Sequence, residues 1–187
     1  MPRTVDVEER DRQVSEAAWR VLVRDGIPAL TVRKIAAEAG LPPSSLRYTF
    51  PTQASVRIRA YELALERVQA RVAAIPRDDA WARKALLELL PLDEPRRLEM
   101  EVSLTLGTAA TTDPSLRHTR RAGHRVARTL CEDVVRTLHV APDTIPVEAE
   151  RLHVMIDGLA MHLIGQDPTD DTTWAIRVLD THLAQLR

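Results

Sequence analysis

With 187 residues, 44% of them hydrophobic and 28% charged, the chain has the size and composition of one soluble domain with a full core, or of a small domain joined to a larger one. Aromatics at 3% leave the core to Ala, Leu, Val and Ile, and the single cysteine, Cys131, excludes an intrachain disulfide and a cysteine-rich zinc site. The net charge of −1 hides an asymmetry: residues 1–60 carry ten Arg and Lys against seven Asp and Glu, the remainder sixteen against twenty, as suits a basic head that meets phosphate on an acidic body.

No stretch alternates with period two for long. Nearly every segment repeats its apolar residues with the helical period, so an all-α fold is expected. The opening "MPRTVDVEERDRQ" lacks the apolar segment of a signal peptide, and no apolar run approaches the roughly 20 residues that span a bilayer; a cytoplasmic protein with no membrane partner is expected. Val14, Ala17, Ala18, Val21 and Leu22 mark a first helix that stops near Gly26. Thr31 caps a second, whose apolar side is Val32, Ile35, Ala36 and Ala39, closed by Gly40. Pro42 and Pro43 suit only a first turn, so a third helix begins there and runs to about Phe50. A long fourth follows through "QASVRIRAYELALERVQARVAAI" and ends at Pro76. These first elements read as three short helices with a fourth leaving them like a stalk.

Beyond Pro76 the helices lengthen. "DAWARKALLELL" stops at Pro91 and "DEPRRLEMEVSLTLGTAATT" stops before Asp113-Pro114. "SLRHTRRAGHRVARTLCEDVVRTL" follows, then "VEAERLHVMIDGLAMHLIGQ" and "TTWAIRVLDTHLAQLR", with no internal repeat. The organisation expected is a three-helix head over residues 1–52 and a body of about six helices over residues 53–187.

The stretch "LPPSSLRYTF" gives the head a purpose. A helix, a glycine turn and a second helix about four residues on is the helix-turn-helix arrangement. Its second helix lies in the major groove and offers its N-terminal residues to base edges. Pro43 fixes the helix start, and Ser44 and Ser45 donate to phosphate or bases. Arg47 can fork two hydrogen bonds to a guanine, while Tyr48 and Thr49 reach phosphate oxygens or a thymine methyl. Double-stranded DNA is the partner this pattern favours, although the same spacing also serves plain packing of three helices.

At this point the chain resembles a known family. From about Val14 to Val56, "SEAAWRVLVRDGIPALTVRKIAAEAGLPPSSLRYTFPTQASV" looks like the DNA-binding head of TetR-family transcriptional repressors. "LDEPRRLEMEVSLTLGTAATTDPSLR" and the later "DGLAMHL" further resemble the C-terminal domain of the BetI-like branch. The resemblance implies a homodimer on a palindromic operator that lets go when a small molecule binds the C-terminal core. It also implies DNA contacts from Thr31, Arg33 and Lys34 at the front of the second helix, and from Gln53. Two positions depart from the family pattern: Arg47 stands where Tyr is usual, and Gln53 where Lys is usual. Gln53 donates without charge, and Arg47 supplies a cation nearby.

The function expected is that of a ligand-responsive repressor. Two other readings stand beside it: a helical small-molecule-binding protein whose DNA contact is weakened by Gln53, and a constitutive DNA-binding protein with a filled core. An effector would need a mostly apolar cavity among the fifth to eighth helices, bordered by some of Trp81, Met100, Ser103, Leu104, Thr108 and Met155, all of which also suit plain core. The last two helices, Val147–Gly165 and Thr172–Leu186, are expected to form a four-helix bundle with a second copy through Leu152, Ile156, Leu159, Leu163, Leu179 and Leu183. The first of them is apolar on more than one side and so needs covering on two; burial within one chain is the alternative. Gly158 permits close helix approach.

His153 and Asp157 share a helical face, yet no third ligand follows from the spacing, so neither a metal nor a cofactor is expected. Asp157, inside "VMIDGLAMHLI", could bond across a dimer, cap a neighbour or face a cationic ligand. Cys131 reads as a small buried hydrophobe, with redox sensing the alternative. There is no glycine-rich phosphate loop and no nucleophile–base motif, which excludes an enzyme.

Overall fold

Glycine, proline and short hydroxyl residues set most of the element boundaries. The computed structural model describes residues 3–47 and 49–186. Its helices are α1 (Arg3–Asp25), α2 (Val32–Glu38), α3 (Pro43–Leu46), α4 (Gln53–Ala74), α5 (Trp81–Leu87), α6 (Glu94–Thr112), α7 (Arg117–Thr137), α8 (Ile145–Ile164) and α9 (Thr173–Gln185). Short 3-10 turns at Ile27–Ala29 and Pro114–Leu116 complete the described elements. The all-α reading and the head-then-body order are both met. Among the described residues, no helix is long and apolar enough to cross a membrane.

The turn of the head is built by glycine chemistry. Gly40 sits at φ 67°, a left-handed conformation that costs glycine nothing. Its N–H reaches the Ala37 carbonyl at 3.2 Å and the Leu41 N–H reaches Ala36 at 2.9 Å, closing α2 with a Schellman motif. Thr31 accepts the Lys34 N–H at 3.3 Å to start α2, and Thr52 and Ser55 cap α4 reciprocally.

Two expectations for the head need correction. The first helix is not short: α1 runs 23 residues from Arg3. The third does not reach Phe50 but ends as helix at Leu46. Phe50 precedes Pro51, whose ring disfavours the helical conformation in the residue before it. The Phe50 side chain, 4% exposed, is instead buried in the head's core.

That core crosses the boundary expected at residue 52. Leu22, Leu30, Ile35, Leu46 and Phe50 of the head share one buried cluster with Val56, Ala60, Tyr61 and Ala64 of α4, and with Val102, Leu106, Ala110 and Leu116 beyond it. Polar ties add register. Gln13 donates to the Ala39 carbonyl at 3.0 Å, Arg20 and Arg24 both meet Glu38 at 2.8 Å, and Arg59 donates to Ser15 at 2.8 Å.

A second cluster joins α5, α7, α8 and α9 around Trp81, Leu86, Val134, Leu152, Ile156 and Leu179. Arg97 of α6 fastens α8 by donating to the carbonyls of Leu163, Ile164 and Gln166 at 2.7–3.0 Å. A cation there satisfies orphan carbonyls and complements the helix dipole.

The stripe expected to meet a second copy lies in this cluster. Leu152, Ile156, Leu159, Leu163, Leu179 and Leu183 are 0–6% exposed within the single chain. A side chain already removed from water has almost no area left to bury in a dimer, so these six are core residues. The apolar surface left uncovered on the same helices is Val147, Val154 and Met161 of α8, with Val178 of α9, at 43–64% exposure. Val147, Val154 and Met161 recur every seven residues and form one stripe.

Candidate functional site

The head presents a small set of unsatisfied polar groups. Arg33 and Arg47 are exposed and make no ion pair among the described residues. Arg20, Arg24 and Lys34 are engaged, the last with Asp25 at 3.3 Å. The hydrogen bonds from Arg24, followed in smaller measure by Lys34, hold the Asp25 carboxyl below its usual range. Arg24 and Arg20 do the same to Glu38. These cations are paired within their own fold, whereas Arg33 and Arg47 are left unpaired among the described residues and open to an outside anion.

The remaining expected DNA contacts divide. Pro43, Ser44 and Thr49 are exposed. Ser45 gives its hydroxyl to the Pro42 carbonyl at 2.7 Å, and its own carbonyl accepts from Arg10 at 3.4 Å. Thr31 uses its oxygen as the α2 cap, and Gln53 turns its amide N–H to the Leu30 carbonyl at 2.8 Å. Tyr48 lies outside the described residues. Arg47 sits at the C-terminal cap of α3 rather than at its start, because that helix is a single turn.

The body contains a cavity of about 450 Å³ walled by α4, α6, α7 and α8, with Glu88, Leu89 and Leu90 after α5. That volume lies in the range typical of small-molecule sites. Met100, Ser103, Leu104 and Thr108 line it as a stripe on α6. Trp81 and Met155 do not. Trp81 is 2% exposed in the α5–α9 core, with Arg77 stacked 3.6 Å over its ring. Trp81 instead lines a separate cleft of about 620 Å³ between the start of α5 and the end of α7, which has no wall from α4 or α6. Met155 faces the groove between α8 and α9, with Trp174 and Val178.

The cavity's charges are mostly matched. Glu99 receives two hydrogen bonds from Arg71 at 2.6 and 2.8 Å, and Arg71 also meets Glu88 at 2.7 Å. Asp157 has no arginine or lysine partner among the described residues; its neighbour is His153, 3.7 Å away. His124, from α7, completes a group whose ligand atoms lie within 4.8 Å of one another. The sequence gives no sign of His124 in this role, because its approach depends on how α7 packs on α8. Cys131 is fully buried and burial pushes its thiol up to about 12, so it behaves as a small core side chain rather than a reactive thiolate.

A helix-turn-helix head sharing one core with the first turns of a helical, cavity-bearing body defines a DNA-binding regulator. Residues 15–57 match the family model for bacterial regulatory proteins of the tetR family, and residues 78–187 match that for the BetI-type transcriptional repressor, C-terminal. The HTH-type transcriptional regulator PksA of Bacillus subtilis (strain 168) is 32% identical over 171 residues, spanning 87% of this chain and 82% of that protein. A transcriptional regulator from Rhodococcus sp. Rha1 superposes with a TM-score of 0.76 at 26% identity, covering 94% of each chain. The multidrug binding protein EbrR, solved with imidazole, gives 0.67 at 27% identity over 93% of this chain and 89% of its own. The chain belongs to the TetR family of transcriptional regulators, with a BetI-type C-terminal domain. The family consists of DNA-binding regulators, not enzymes.

Proposed function

We propose that this protein is a ligand-responsive repressor that binds a palindromic operator as a homodimer and is released by a small molecule. The observation that supports this best is the double role of α6. One face puts Val102, Leu106 and Ala110 into the head's core, while the other puts Met100, Ser103, Leu104 and Thr108 on the cavity wall. An occupant that displaces α6 therefore acts directly on what the head rests against. Two heads must sit about 34–36 Å apart to enter successive major grooves, so a small tilt of each is enough to lose the operator. The effector acts only to the extent that it prefers the tilted state.

In this reading the head, residues 1–52, supplies DNA contacts from Arg33, Lys34, Pro43, Ser44, Arg47, Tyr48 and Thr49, with Thr31, Ser45 and Gln53 shaping the surface. The body, residues 53–187, supplies the effector site and the dimer contact. The related EbrR is a multidrug binding protein, and a cavity lined by both apolar and charged groups suits an amphiphilic or cationic organic effector here as well. The dimer contact falls on Val147, Val154 and Met161 with Val178, and Gly158 has open space where a side chain would stand.

A second reading, a small-molecule-binding protein with weak DNA affinity, draws on Gln53, whose amide is already engaged with Leu30. Fluorescence anisotropy on the DNA flanking the protein's own gene separates the two. A regulator binds a palindrome there at physiological salt and a library of small organic cations and aromatics yields a releasing compound. Binding no tighter than to random DNA supports the second reading.

A further inference from the structure

In the cavity wall, His124, His153 and Asp157 stand together with no arginine or lysine paired to them among the described residues. His153 is 7% exposed. Its Nε2 is buried with no hydrogen-bond partner among the described residues. Leaving such a nitrogen unpaired carries its full desolvation penalty, which a ligand at that atom removes. Asp157 Oδ2 stands 3.7 Å from it, too far for a hydrogen bond, and the His124 ring meets the His153 ring edge-on with centroids 5.9 Å apart. Two imidazoles and one carboxylate thus converge from two helices on the wall of a cavity.

We propose that His124, His153 and Asp157 bind a divalent transition-metal ion of the zinc class, with the open coordination position facing the cavity. Imidazole nitrogen and carboxylate oxygen are the donors such ions take, at about 2.0–2.2 Å, which places ligand atoms about 3.4 Å apart around a tetrahedral centre. The present separations, up to 4.8 Å, close to that value by rotating His124 and Asp157, both exposed, onto the buried and fixed His153. Two neutral imidazoles and one carboxylate leave one positive charge on the ion, and the exposed Arg120 on the same wall adds another. The fourth position therefore favours an anionic or lone-pair donor entering the cavity. The site makes the cavity responsive to the metal itself or to a chelating effector.

The test uses untagged, chelator-treated, full-length protein titrated with Co2+, read by its visible ligand-field bands, with Zn2+ as competitor. Saturable uptake of one ion per chain is expected, displaced by Zn2+, with a metal-dependent rise in melting temperature. His124→Ala and Asp157→Asn, both at exposed positions, should keep the metal-free melting temperature and each weaken binding by at least about tenfold. His153→Gln should abolish it. Absence of saturable uptake, or His124→Ala binding like wild type, overturns the inference. Operator binding is measured separately: a metal-indifferent protein that still binds its palindrome sinks this proposal and leaves the regulator reading standing.

Discussion

The phenol of Tyr61 occupies the space that a side chain on Gly123 would need. A methyl group added at Gly123 would stand 1.6 Å from Tyr61 Oη and 2.6 Å from Cζ. Tyr61 belongs to α4 and to the head's core, Gly123 to α7 and the cavity wall. Burial raises the pKa of the phenol, so the ring enters this contact uncharged. Gly123→Ala should force the ring out of its place and destabilise the fold by about 1–3 kcal/mol, the usual cost of overpacking. Denaturant unfolding of Gly123→Ala, Tyr61→Ala and the double variant checks it. A coupling energy below about 0.5 kcal/mol would show that the two residues do not oppose one another.

Arg33 and Arg47 should contribute most of the side-chain affinity for DNA, because Arg12, Arg20, Arg24 and Lys34 of the first two helices are held by Glu9, Glu16, Asp25 and Glu38. Losing a base contact costs about 1–3 kcal/mol and relaxes sequence preference. Losing a phosphate contact weakens all sequences alike and reduces the salt slope by about one. Arg47 closes α3 from its C-terminal end, so Arg47→Ala should show one of these two patterns, and Arg33→Ala the phosphate pattern. Wild-type affinity with an unchanged salt slope in both variants would remove the head surface from the proposed function.

Acid should loosen the contact between α8 and α9 through His182. Its Nε2 is buried without a hydrogen-bond partner among the described residues, and burial, then the charge of Arg151, lowers its pKa while Glu148 acts in the other direction. A basic group with a depressed pKa binds fewer protons folded than unfolded, so stability rises with pH. Its contribution is complete above the unfolded value of about 6.5 and is lost as pH falls through the folded pKa below that. His182→Gln should therefore flatten the decline in urea midpoint between about pH 7.5 and about pH 5.5. A variant with the wild-type pH slope would place the acid sensitivity elsewhere.

How much of this was legible in the sequence depended on whether a feature is local. Gly40, Thr31, Thr52 and the prolines act within a few residues, and the helices they bound follow from composition and spacing. The α6 stripe of Met100, Ser103, Leu104 and Thr108 was legible for the same reason. Trp81 and Met155 line other clefts than the α6 stripe does, because helical period tells which residues share a face but not which neighbour that face meets. His124 lies 29 positions before His153, and only the packing of α7 on α8 brings them together. The same limit decided the interface stripe.

On α8 the apolar residues are broad enough for two stripes, and the choice between them has opposite consequences for mutation. Leu159, 6% exposed, packs among Leu152, Ile156 and Leu163 in the chain's own core. An arginine there buries an unpaired charge, which should unfold the body rather than split a dimer. Val154, 64% exposed, lies with Val147 and Met161 on the outer stripe, where solvent already surrounds it. Val154→Arg should leave the monomer folded, with a melting temperature near wild type, and separate the subunits by placing like charges across a two-fold contact. In the proposed dimer both half-sites are engaged together, so operator affinity should fall at least about tenfold with the fold intact. Light scattering at micromolar concentration, paired with circular dichroism, reads both outcomes. A Val154→Arg protein that keeps the dimer mass would move the contact off this stripe. A folded, monomeric Leu159→Arg protein would restore the inner stripe as the interface, against its burial in the single chain.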